Sequence, residues 1–404
     1  MAIAIRPVPP ERAAEFLVPL STAFGSAPAP ERADRIRAIP ELEVRLGAYD
    51  GDAIVGSAGS YTFDLTVPGG VAVETAGLTM VAVLPTHRRR GILRELMRSH
   101  LDQARQRGQA VAALFASEGP IYGRFGYGMA SLGGAIEVPR HRATFARPAD
   151  PGGPVRLVSE AEAVATFPSI WERVRLERPG MLSRSEGWWR VRRTSDPEWL
   201  RAGRPPLQRA LLEIDGRPAA YALYRFSEPF GQIDKDLALD VVEAIGDTPA
   251  ATRGIWRYLL DVDLIACVRA RQLPLDHPLL FLLAEPRALQ MHVDHGLWVR
   301  LVDVEAALSR RGYTEGEPVV IEVGDAFCPW NAGRYRLAGG AAERTAADPD
   351  LALDVDALGA VYLGGFGFTA LSQAGRVVEL RPGALRRADA LFRGDRAPWC
   401  PEIF

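Results

Sequence analysis

The sequence predicts an α/β protein, α+β in its last part, built from three successive segments. Three observations carry that expectation. Helix-spaced and strand-like patterns alternate through the first segment, residues 1–145. A run that neither a helix nor a central strand tolerates follows at 145–154, with three prolines and two glycines (Phe-Ala-Arg-Pro-Ala-Asp-Pro-Gly-Gly-Pro). An eight-residue pattern also recurs, Arg90–Met97 against Arg253–Leu260, each copy preceded by a strand-like stretch and a proline, Pro85 or Pro249. The expected division is 1–145, 155–310 and 311–404.

In the first segment, Glu31–Arg37 is polar and helical. Val44–Tyr49 and Ala53–Val67 read as strands joined by the hairpin turn Asp50-Gly51. Val71–Leu84 is a long strand run interrupted near Gly77, where a glycine marks a bulge or a close backbone approach, and Pro85 stops it. From Gly91 to Gly108 the apolar residues Leu93, Leu96, Met97, Leu101 and Ala104 fall at helical spacing. Ala110–Ala116 is a buried strand by its unbroken apolar run. The third segment shows strands at Val319–Val323, Gly333–Leu337 and Ala374–Leu380, a polar break at 341–350 and a helix at Leu385–Phe392.

Composition bounds the partners. Hydrophobic residues are 48% and charged residues 24%, which excludes a disordered chain and leaves a full core for each segment. The formal charge of −2 gives no footing for a nucleic-acid partner. The cysteines Cys267, Cys328 and Cys400 are scattered and odd in number, so neither a disulfide framework nor a paired-cysteine metal site is expected. The first dozen residues lack a basic stretch ahead of an apolar core, and the apolar run Leu279–Ala284 is far too short to span a bilayer. No membrane association, no metal and a cytoplasmic setting are the expectations. His292 and His295 flank Asp294 without a third motif-linked ligand and read as surface or packed residues.

Of 48 basic residues only Lys235 is a lysine, so where arginine clusters matters more than its abundance. The cluster that stands out is Val81-Ala82-Val83-Leu84-Pro85-Thr86-His87-Arg88-Arg89-Arg90-Gly91-Ile92-Leu93, a strand, a tight loop and a helix start. The first helical turn offers unpaired N–H groups at the positive end of the dipole. Arg88 and Arg89 add forked donors and Gly91 permits close backbone approach, so the ligand expected is a pyrophosphate. In the second copy Ala250-Ala251-Thr252 stands where His87-Arg88-Arg89 stood, which would keep the fold and lose the anion site.

Arg88-Arg89-Arg90-Gly91-Ile92-Leu93 resembles the acetyl-CoA loop of the GNAT acetyltransferases, departing where Leu93 replaces a small residue. Together with Ala116-Ser117-Glu118-Gly119-Pro120-Ile121-Tyr122-Gly123-Arg124-Phe125-Gly126-Tyr127-Gly128, it is similar to the enhanced intracellular survival (Eis) family, which tolerates that bulk. The resemblance implies tandem GNAT-type domains, the second degenerate, followed by a sterol carrier protein-like α+β domain. It implies an acetyl-CoA-dependent N-acetyltransferase acting on primary amines of a polyamine-like or aminoglycoside acceptor, and a homo-oligomer, a hexamer in the family. The alternative is a non-catalytic CoA-sensing or lipid-carrying protein.

The residues then take roles. Main-chain groups of Val81 and Val83 are placed to pair with the pantetheine arm like an added strand. Arg88, Arg89 and Gly91 would hold the pyrophosphate, and the resemblance adds Ser117 to the cofactor wall. Two tyrosines compete for the general acid, Tyr122 and Tyr127, since a phenol near about 10 can protonate a thiolate whose thiol lies near about 8.5. The resemblance assigns the role to Tyr122. No acidic residue stands in a motif that demands a base; Glu118 is a candidate and equally a helix-start charge. The resemblance gives the base role to the C-terminal carboxylate, here Phe404, and the apolar, proline-containing tail Ala397–Phe404 reads as docked. For the acceptor, Phe24 and Glu402 are the candidates.

Overall fold

A computed structural model describes residues 3–26, 30–39, 42–148, 152–201, 203–227 and 237–404. Part of the 145–154 run, residues 149–151, therefore lies outside the described residues, as does Lys235. The chain divides into two units. One comprises Met1–Ser131, Leu297–Pro398 and Glu402–Phe404, the other Leu132–Gly296 and Trp399–Pro401.

In chain order the strands are β1 (Ala4–Pro7), β2 (Leu42–Asp50), β3 (Ala53–Val67), β4 (Val71–Val83), β5 (Val111–Phe115), β6 (Gly128–Met129) and β7 (Leu132–Pro139). There follow β8 (Val155–Leu157), β9 (Gln208–Ile214), β10 (Arg217–Phe226), β11 (Ala238–Gly246), β12 (Cys267–Leu273), β13 (His292–His295) and β14 (Leu297–Leu301). The C-terminal region adds β15 (Val319–Gly324), β16 (Gly333–Ala338), β17 (Ala341–Arg344), β18 (Leu351–Asp354) and β19 (Val377–Glu379).

These make three sheets. The first runs β1-β2-β3-β4-β5-β14-β6, the second β8-β9-β10-β11-β12-β7-β13 and the third β17-β16-β15-β18-β19. The first two have the same design. In each, the sixth position is filled from a distant stretch of chain: β14, which follows the second sheet's strands, pairs with β5 and β6, and β7, which precedes them, pairs with β12 and β13. Sheet membership thus cuts across the segments read from sequence, because a strand's pattern specifies which face is buried and not which neighbour it finds.

The helix Ile92–Gln106 lays Leu96, Met97, Leu101 and Ala104 on the first sheet's core, the spacing read from sequence, while Leu93 is only partly buried and Ile92 takes the buried place in the first turn. In the second unit the helix Pro249–Asp261, which contains the recurring Arg253–Leu260, buries Ile255, Trp256, Leu259 and Leu260 in the same way. Two details of the third sheet differ from expectation. The polar stretch at 341–350 contains β17, an edge strand whose alternation has only Ala342 buried. The strand expected at Ala374–Leu380 shrinks to β19, because the helix Phe368–Gln373 closes on Gly375 (φ +72°) first.

Candidate active site

The site begins with a fault in the pairing of β3 and β4. Ser57 pairs with Ala82 and Gly59 with Thr79, so Met80 and Val81 together face Ala58. Met80 adopts φ +52°, and the Ser57 hydroxyl donates to its carbonyl at 2.9 Å. Such a bulge bends and twists the strand that carries it. The parallel pairing of β4 with β5 ends at Gly77 opposite Ala113, ahead of the bulge, and the two strands then part. Beyond the bulge the Leu84 N–H donates to the Val55 carbonyl of β3 at 2.9 Å. Alternation along a strand turns the main-chain groups of Val83 and Val81 the other way, into the gap where no strand pairs. The interruption expected at Gly77 is therefore of the other kind: a Cβ there would stand 2.6 Å from the Phe63 ring and 3.2 Å from the Phe404 ring.

β4 leads into a one-turn helix, Pro85–His87, and then the arginine loop. Arg88 is extended, Arg89 takes φ +62° and Gly91 takes φ +80° as the N-cap of Ile92–Gln106. No atom lies within 4 Å of a Cβ built on Gly91, so its glycine answers to backbone conformation and not to crowding. No side chain caps that helix, which leaves its first N–H groups for a ligand. His87 and Arg90 turn to Asp50, at 3.4 and 3.8 Å. Neither Arg88 nor Arg89 is paired with a carboxylate among the described residues, and both line a cleft of about 710 Å³. Val81, Val83, Gly91, Ser117, Tyr122 and Phe24 line the same cleft, as do Leu93, Arg94, Glu118, Arg124 and Phe125. Nothing in the sequence alone assigns Arg94 or Arg124 to the cleft. Arg94 lies three residues past Gly91 on the helix, and Arg124 only faces the cleft once the turn around Tyr122 is formed.

Tyr122 sits on the turn Gly119–Gly123, which Glu118 precedes and Pro120 starts. The turn closes through N–H bonds from Phe125 and Tyr127 to the Tyr122 carbonyl, at 3.0 and 3.3 Å, and from Gly126 to Gly123, at 2.9 Å. Burial raises the Tyr122 pKa; a hydrogen bond with Ser117 pulls against that rise and Glu118 adds to it. The phenol thus keeps its proton at neutral pH. Tyr127, edge-on to it at 6.2 Å between ring centroids, is fully buried, its pKa is driven up chiefly by burial, and it is absent from the cleft wall.

The C-terminus comes to the point where β4 and β5 part. The Phe404 ring packs against Phe63, Phe115 and Tyr61, with centroids 5.1, 6.0 and 6.4 Å away. Glu402 is buried, with 2% of its surface exposed. Neither residue belongs to the lining of the 710 Å³ cleft, whereas Phe24 does and is 62% exposed at its edge.

The second unit repeats the frame. Leu223 pairs with Glu243 and Tyr224 with Val241, so Val242 is the extra residue, and pairing of β11 with β12 ends at Val241 opposite Ala270. Its helix, however, is capped: the Thr248 hydroxyl accepts from the Ala251 N–H at 3.1 Å, and Asp247 pairs with Arg173 at 2.7 Å. Past the last residue of β12 that pairs with β11, the Trp399 indole donates to the Gln272 carbonyl, and its ring belongs to the buried cluster that includes Leu223 and Ile245. Arg184 lies 3.2 Å above the Trp171 ring and pairs with the buried Glu243. Burial pushes the Glu243 carboxyl up, but Arg184 and Arg193 outweigh it and hold it below its ordinary value.

A parted strand pair, an uncapped helix start and two arginines without a carboxylate partner among the described residues thus meet at one cleft. GNAT acetyltransferase domain models match residues 4–130 and 180–301, and a sterol carrier protein domain model matches 304–401. An uncharacterized N-acetyltransferase of Streptomyces avermitilis is 43% identical over 396 residues, 95% of each chain. N-acetyltransferase Eis of Mycobacterium tuberculosis is 38% identical over 364 residues, 87% of this chain and 86% of that one. The crystal structure of Eis1 from Mycobacterium abscessus matches 99% of this chain and 100% of its own, with a TM-score of 0.87 and 36% identity. The chain belongs to the Eis family of N-acetyltransferases. It is an acetyltransferase of the GNAT kind, and the non-catalytic alternative is not favoured. Among the described residues, no group of three His, Cys, Asp or Glu could hold a metal ion, and no helix is long and apolar enough to cross a membrane.

Proposed function

We propose that this enzyme acetylates a primary amine of a polycationic acceptor, polyamine-like or an aminoglycoside, by direct attack of the amine on the thioester of acetyl-CoA. Val81 and Val83 hold the pantetheine by their main chain. Arg88, Arg89 and the helix start at Gly91 hold the pyrophosphate, and Ser117 lines the cofactor. Tyr122 protonates the departing thiolate. The carboxylate of Phe404, acting through water, takes the proton from the amine. Phe24 gives the acceptor an apolar wall and Glu402 supplies negative charge beside the tail. One observation carries the reading: the buried Tyr122 phenol lines the cleft wall, and the C-terminal ring is seated where β4 and β5 separate. The same reading takes a homo-oligomer, a hexamer by family likeness, in a cytoplasmic setting; light scattering on the purified chain measures the assembly.

The test is thiol release from acetyl-CoA with a panel of aminoglycosides, polyamines and lysine peptides. Tyr122→Phe and deletion of Phe404 should each cut the rate with an accepted amine. Full rates in both variants would overturn the assignment.

A further inference from the structure

The sterol carrier protein-like domain packs aromatic and charged side chains in its core. Tyr335, Tyr362, Phe368 and Phe392 are buried in it, and the buried Arg311 guanidinium donates to the Tyr362 and Phe392 carbonyls, both at 3.0 Å. One of its loops leads back to the turn that carries Tyr122. Arg300, on β14, is fully buried and donates to Asp325 at 2.6 Å. The other Asp325 oxygen accepts the Cys328 N–H at 2.8 Å. Asn331 donates to Asp325 at 3.0 Å and accepts the Val304 N–H at 3.1 Å, so the carboxylate is held from three directions. Above the pair lies Gly126 at φ +84°; a Cβ there would fall 1.6 Å from Nη1 of Arg300. Gly126 closes the turn of Tyr122. Phe327, from the same loop as Asp325, packs edge-on to Phe125 at 5.0 Å, and the helix Val355–Val361 brings the Asp356 carbonyl to where a Cβ on Gly128 would be.

A buried ion pair is a poor source of stability, since apolar residues of similar volume fill the space as well or better. It does fix geometry, because both partners must find each other in one arrangement. We propose that Asp325 is a positioning residue for acetyl transfer: through Arg300 it sets the Gly126 end of the turn and thereby the place of the Tyr122 phenol. The sterol carrier protein-like domain is on this account a brace of the acetyltransferase site. The inference rests on the reading of Tyr122 as the acid.

The experiment uses the full chain, with steady-state kinetics on acetyl-CoA and the panel amine turned over fastest, and with amide hydrogen exchange. The variants are Asp325→Asn, the apolar pair Arg300→Met with Asp325→Leu, Tyr122→Phe, and Asp325→Asn combined with Tyr122→Phe. The apolar pair keeps the fold if Asp325→Asn alone does not. The expected result is a kcat lowered about tenfold to hundredfold with KM for acetyl-CoA within about twofold, since a shift of the acid spares cofactor binding. Exchange at Phe125–Tyr127 should quicken, and Asp325→Asn should add no loss to Tyr122→Phe. A folded variant with wild-type kcat, or a full additive loss in the combined variant, overturns the positioning role. Full activity in Tyr122→Phe instead defeats the reading of the acid itself, so the two failures are told apart.

Discussion

The two GNAT-type sheets share a strand order, a bulge and a parted pair of strands, yet the ends of their parted strands are furnished differently. In the first, the helix start after the bulge is uncapped and faces Arg88 and Arg89, which no carboxylate neutralises among the described residues. In the second, Thr248 caps the helix start, Asp247 is held by Arg173, and the Trp399 indole bonds to β12 beyond the end of its pairing with β11. The turn after β5 carries Tyr122, whereas the short helix after β12, Leu279–Leu282, holds only leucine and phenylalanine. The bulge therefore opens a sheet without creating a site. A site needs donors left unsatisfied and a gap left empty, and both are decided by a few side chains.

Four measurements test that contrast. Tyr122→Phe should lower kcat about 10²- to 10⁴-fold, the usual worth of a general acid, with little change in KM for acetyl-CoA. A change confined to KM would move Tyr122 from chemistry to binding. Replacing Arg88 and Arg89 by alanine should raise KM for acetyl-CoA roughly tenfold to hundredfold, and less in high salt, as expected for charge-assisted contacts to phosphate at an exposed site. An unchanged KM would leave the loop a solvated surface.

The third measurement tests what the units share. Each buries one neutral histidine: His100 and His277 are pushed from 6.5 down to about 3, by burial first and by Arg107 or Arg178 second. The unfolded chain takes up protons on them below its value of 6.5 that the folded chain refuses until about 3. Stability should therefore fall as pH drops through that window, and His100→Asn with His277→Asn should flatten the fall in melting temperature. A fall of unchanged steepness would assign acid sensitivity to the carboxylates instead. Last, Thr248→Ala should cost about 1 kcal/mol of stability through the lost cap and leave KM for acetyl-CoA untouched. A higher KM there would mean that the second unit takes part in binding.

Much of the first unit is legible in the sequence. The Asp50-Gly51 hairpin, the helix from Ile92 and the apolar strand from Val111 follow from turn chemistry and periodicity. Gly91 stands out in the sequence as a glycine that permits close backbone approach, whereas its positive φ at the helix start is seen only in the structure. Gly77 was noticeable, but whether it marked a bulge or a close approach was not, because the answer is an aromatic ring from the far end of the chain. Arg94 and Arg124 lacked any signal, since which arginines face a cleft depends on the turn at Tyr122. The exchange of β7 and β14 between sheets has no local signature.

By itself the sequence determined the local parts: an arginine loop on a helix start, a tyrosine on a short turn, a degenerate repeat and an apolar tail. Backbone dihedrals, capping and amphipathic spacing are properties of neighbouring residues, so they are written in order along the chain. The tertiary structure alone decided that β4 parts from β5, that Phe404 reaches the opening, that Trp399 bonds to β12 beyond the end of its pairing with β11, and that Arg300 and Asp325 meet beneath Gly126. Those outcomes join residues tens to hundreds of positions apart, and packing and pairing across such distances are selected by the whole fold.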